Sequence, residues 1–134
     1  MSTEYIVALE AGWGTADRAL AQLAFALVQS RAAPYKIETA FEAFGKEAEQ
    51  GLSDILDEHS HLFRSLQTFT HSEQGVALRW SGYGSGEPFL EQVLLLLRTL
   101  GFDGARGQAV GDEGAWHCRV VGDELHCEYI EEQP

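Results

Sequence analysis

Positive charge is scarce in this chain. Nine Lys and Arg stand against 21 Asp and Glu, a formal net charge of -12 with histidine neutral. Phosphate backbones are held by clustered cations that release counterions, so nucleic acid is not an expected ligand, and an anionic membrane surface is disfavoured for the same reason. Two cysteines in 134 residues make no disulfide framework, and no Cys-x-x-Cys pair points to zinc or redox chemistry. They read as two reduced thiols packed as small apolar groups. Three prolines give no linker-like cluster and no repeat period is present, so a single domain over residues 1–134 is expected. Long apolar runs are missing as well. The richest, Val93 to Leu97, is flanked by Glu91 and Arg98 and falls far short of the roughly 20 residues of a membrane helix. The opening Met1-Ser2-Thr3-Glu4-Tyr5 lacks the basic segment of a secretory leader, and a soluble protein of the cytoplasm is the expectation.

Chemistry-bearing motifs are equally sparse. There is no Gly-x-Ser-x-Gly elbow, no His-Glu-x-x-His and no phosphate-binding Gly-x-x-x-x-Gly-Lys loop. Asp57, Glu58, His59 and His61 lie close together, but on a helix His59 and His61 point about 200° apart, so one ion does not easily take both. Glu58 with His61 is conceivable as an acid/base pair, yet a solvated helix face explains both at less cost. Gly12-Trp13-Gly14 and Gly82 to Gly86 read as turns without a ligand. No catalytic, cofactor-binding or metal-binding residue is therefore expected.

What the chain does carry is regular periodicity. Tyr5 to Ala11 reads as a strand buried on both faces. Thr15 is placed to cap a helix from Ala16 to Arg31, with Ala19, Leu20, Leu23, Ala24, Leu27 and Val28 at helical spacing. Tyr35 to Glu38 alternates like a short strand, and Thr39 with Glu42 forms a capping box for a helix that Gly51 and Ser53 should break in two before Ser65. A hairpin is expected from Gln67 to His71 and Val76 to Ser81, with Trp80 on a strand. Pro88 to Leu100 is a helix apolar nearly all round, so it should be central or lie at an interface.

The tail holds three strands, Ala105 to Val110, Ala115 to Val121 and Glu124 to Ile130. A two-residue turn at Gly122-Asp123 fixes the last pairing: Trp116 with Tyr129, Cys118 with Cys127 and Val120 with Leu125 on a core face, His117 with Glu128 and Arg119 with His126 on a solvent face. The whole predicts an α+β fold, a mainly antiparallel sheet with helices on one face in the order β-α-α-β-β-α-β-β-β, of the ferredoxin-like kind.

With no chemistry of its own, such a chain is expected to bind. Its carboxylates favour a basic protein partner, for instance a toxin or effector enzyme whose cationic site a stoichiometric inhibitor or immunity-type protein would plug. The candidate contact residues are Asp112, Glu113, Asp123, Glu124, Glu128, Glu131 and Glu132 in the tail, with Trp13 and Tyr83 as aromatic anchors in loops. A second acidic group lies at Glu42, Glu47, Glu49, Asp54, Asp57 and Glu58. Two alternatives stand beside this reading: a small-ligand binder or enzyme with a cleft at the Gly-rich loops, and a homodimer built on the Pro88 to Leu100 helix.

Overall fold

A computed structural model describes residues 3–112 and 114–131. In chain order the elements are β1 (Thr3–Gly12), α1 (Arg18–Gln29), α2 (Pro34–Glu42), α3 (Lys46–Phe63), β2 (Leu66–His71), β3 (Gly75–Gly84), α4 (Gly86–Thr99), β4 (Asp103–Val110), β5 (Gly114–Val121) and β6 (Glu124–Glu131). The six strands make one antiparallel sheet in the order β2-β3-β1-β4-β5-β6. The fold is α+β, and it has one helix more than the expected order.

That extra helix is α2. Pro34 occupies the first turn and Ile37 and Phe41, four apart, are both buried, so a helical period overrides the brief alternation that suggested a strand at Tyr35 to Glu38. Thr39 does not cap: it lies inside α2 and its hydroxyl donates to the Tyr35 carbonyl at 2.8 Å. The break comes at Gly45, whose φ of 113° suits only glycine. From there α3 runs straight through Gly51 and Ser53. A Cβ at Gly51 would stand 3.3 Å from Leu96 Cδ1, so this glycine serves the close packing of α3 on α4, and the irregular residue is His59.

In α1 the cap is Asp17, accepting from the Leu20 amide at 3.1 Å, while Thr15 is tied to the Gly101 carbonyl. The buried stripe is Ala21, Ala24, Phe25 and Val28, and Leu23 faces outward. Phe25 fixes that rotation by packing against Phe41 and Phe69.

β1 alternates. Val7, Leu9 and Ala11 enter the core while Ile6 and Glu10 are exposed, so the strand is covered on one face only and not, as expected, on both. α4 packs on α3 and across β1, β4 and β5, which makes it central as expected; Phe89, Leu90, Val93, Leu94, Leu96 and Leu97 are covered within the chain. The β5–β6 register agrees with the expected one at every pair. The depth of its core face does not. Cys118 is buried, but Cys127 and Tyr129 are exposed, because the helical layer reaches β5 and the sheet continues one strand beyond it. The cysteines are also not two separate thiols: Cys118 and Cys127 form a disulfide across this pair, their Cα atoms 4.1 Å apart, the close approach of facing residues on antiparallel strands.

Candidate functional site

Among the described residues, all four helices lie on one side of the sheet and the opposite face is open. Alternation and register place its side chains in rows across the strands. One row is Thr70, Ala77, Glu10, Arg106, Arg119 and His126; the next is Thr68, Arg79, Ala8, Gln108, His117 and Glu128. All of them but Thr70 line a broad hollow of about 740 Å³. A third row, Ile6, Val110, Ala115 and Ile130, is apolar and crosses four adjacent strands. Ile6 and Ile130 keep 38% and 47% of their surface exposed, so this row is not part of the core. Arg106 Nε donates to Glu10 Oε1 at 2.6 Å on this face.

The expected contact residues are divided by this architecture. Trp13 is buried: its indole N–H donates to the Ser72 carbonyl at 2.7 Å and its ring stacks on Phe102, with the Arg18 guanidinium over it. It is therefore a core side chain and not an exposed anchor, held there because Gly14 turns back against Gly101. Tyr83 is 56% exposed at the end of β3, as an anchor would be. Asp123 lies in the β5–β6 turn, paired with Arg98 of α4. Glu124 sits 3.3 Å from the His126 ring, and Glu128 lies on the open face opposite His117. Asp112 and Glu131 are at the other end of the hairpin, about 23 Å away along β6. Glu113 and Glu132 lie outside the described residues. The tail carboxylates thus occupy both ends and the middle of one hairpin.

The second acidic group has a different layout. Glu47, Asp54, Asp57 and Glu58 share the outer side of α3, three, four and seven positions apart. Glu58 Oε2 accepts from Gln92 Nε2 at 2.6 Å and lies 3.7 Å from His59 Nε2. His59 packs edge-on against Phe89, and burial holds its pKa below the ordinary value in spite of nearby Glu58. His61 is exposed. The Gly-rich segments do not frame the large hollow. Gly82 and Gly84 end β3, and Gly86 opens α4 against the Tyr5 ring, although Gly12 borders a smaller hollow of about 460 Å³ beside the β2–β3 turn.

Glu87 and Glu91, one turn apart on α4, meet near Cys127. The hydrogen bond that protonated Glu87 donates to Glu91 raises the Glu87 pKa to about 7, with desolvation and the Glu91 charge acting in the same direction. A pKa raised on folding means that the folded chain holds this proton more tightly than the unfolded one. The stability it contributes is complete below pH 4.5 and is lost as pH rises through 7. Glu87→Gln is accordingly expected to unfold like the parent in urea at pH 4.5 and to outlast it at pH 8, by a modest margin because the carboxyls are near solvent. Equal midpoints at both pH values would exclude the shared proton.

No family model, curated protein or solved structure matches this chain.

Proposed function

We propose that the protein is a non-catalytic protein-binding domain of the stoichiometric-inhibitor or immunity kind, and that it meets its partner through the open face of the sheet. The observation that carries this reading is the exposed apolar row Ile6, Val110, Ala115, Ile130 with charged rows beside it, the layout of an interface centre with a polar rim. Six strands at about 4.8 Å and eight residues at about 3.3 Å give a face of roughly 24 by 26 Å, about 620 Å², at the lower end of the roughly 600–1,000 Å² that a standard interface takes from each partner. Glu124 and Glu128 stand at its β6 margin and Tyr83 at its β3 end. The net charge of -12 attracts a basic partner at long range. The groups with perturbed protonation, Glu87 and His59, sit on the helical side, away from the hollow, which favours binding over catalysis. We read β2-β3-β1-β4 with its helical crossovers as a ferredoxin-like core that β5 and β6 widen, and that widening supplies two of the six strands of the face.

The test is the co-purified native complex. Ile6→Arg and Ile130→Arg, both exposed, are expected to leave the thermal midpoint unchanged and to weaken the complex at least tenfold. Hydrogen exchange should slow in β1 and β4 to β6. Slowing confined to α3, with both variants binding normally, would overturn the open-face assignment and move the contact to the carboxylates of that helix.

A further inference from the structure

We infer that the hollow of the open face receives the carboxylates of an extended acidic segment of the protein partner. This rests on the open face being the docking surface, and it names the groups that reach the hollow. Three of the nine cations in the chain, Arg79, Arg106 and Arg119, line it together with His117 and His126. Arg106 and Arg119 are direct cross-strand partners, an arrangement that destabilises a sheet unless an anion lies between them. Glu10 answers Arg106. Arg79 and Arg119 form no ion pair among the described residues, so two guanidinium groups remain for a ligand. Ala8, Ala77 and Thr68 are short side chains, which leaves room above the floor for a polypeptide.

Spacing selects the kind of anion. Arg79 on β3 and Arg119 on β5 are three strand spacings apart and two residues apart along the strands, about 16 Å in all. An extended chain covers about 13–14 Å in four residues, and the long arginine side chains make up the remainder, so acidic side chains at positions i and i+4 reach both. One phosphate group needs donors that converge on a point, and these two stand on strands three spacings apart. A nucleic acid would gain little counterion release from so few cations against a charge of -12. Long-range attraction for a basic partner and local pairing with one acidic segment of it are compatible, since the first depends on net charge and the second on the groups in contact.

Arginine Nε–H signals in nitrogen-15 labelled protein at low salt report the site directly. Hexaglutamate is expected to move the signals of Arg79 and Arg119, hexaglutamine to move neither, and the double variant R79Q/R119Q to bind hexaglutamate at least tenfold more weakly. Relief of the Arg106–Arg119 repulsion should leave that variant at least as heat-stable as the parent. Unmoved signals at millimolar hexaglutamate, equal binding by the double variant, or tighter binding of inorganic pyrophosphate than of hexaglutamate would each overturn the assignment. If that happens while Ile6→Arg and Ile130→Arg still break the native complex, the hollow alone is misassigned; if those variants bind normally as well, the docking face falls with it.

Discussion

Trp80→Ala is expected to destabilise the protein by about 3–5 kcal/mol, the usual loss for a large aromatic removed from a packed interior. Trp80 is fully buried on β3, stacked on Phe63 and edge-on to Phe89. Its indole N–H donates to the Phe63 carbonyl at 2.8 Å across a sequence gap of 17 residues. It therefore ties the last turn of α3 to the centre of the sheet and supplies the surface on which α4 rests. Alanine opens a cavity and leaves that carbonyl without its donor, and both effects act in the same direction. Urea unfolding followed by far-ultraviolet circular dichroism reads the change as a fall in midpoint of roughly 2 M for a slope near 2 kcal/mol/M. Trp80→Phe keeps most of the packing and loses only the hydrogen bond, so it should fall by about a third as much. Equal losses would mean that the hydrogen bond, and not the ring, holds the helices to the sheet.

The place of Trp80 on a strand was legible from alternation, and every pairing of the β5–β6 hairpin was legible because a two-residue turn leaves a single register. Long α4, apolar nearly all round, was expected to be central or to lie at an interface, and packing on α3 and the sheet makes it central. Failures arose where two local signals competed. Tyr35 to Glu38 alternates over four residues, yet the buried partners Ile37 and Phe41 sit a helical turn apart. Gly51 reads as a break, but a neighbouring helix fills the space its missing side chain leaves. The open face was beyond reach for another reason. Arg79, Arg106 and Arg119 are far apart in sequence, and each is an ordinary outward residue of its own strand. Only the order β3-β1-β4-β5 brings them over one hollow, and strand order is fixed by tertiary packing that no local pattern records. The acidic tail differs in the opposite sense: residues close in sequence are spread along the length of a hairpin.

Reduction of Cys118–Cys127 is expected to remove about 2.5 kcal/mol. The bond closes a loop across a sequence separation of 9, and the entropy of closing so short a loop in the unfolded chain sets that figure. The effect should be concentrated at β6, the edge strand, which among the described residues has β5 as its only neighbour in the sheet and little cover from the helices. Cys118→Ala/Cys127→Ala supplies the control. Dithiothreitol should lower the urea midpoint of the parent to that of the double variant and leave the variant unmoved; a parent indifferent to dithiothreitol would show the sulfurs are not joined. His126, Glu128 and Ile130 of the open face all ride on β6, so the same treatment should speed amide exchange there and weaken partner binding in step. A contact surface pinned by a disulfide is at its firmest in an oxidising compartment, and the tightness of the complex then depends on the redox state of the surroundings.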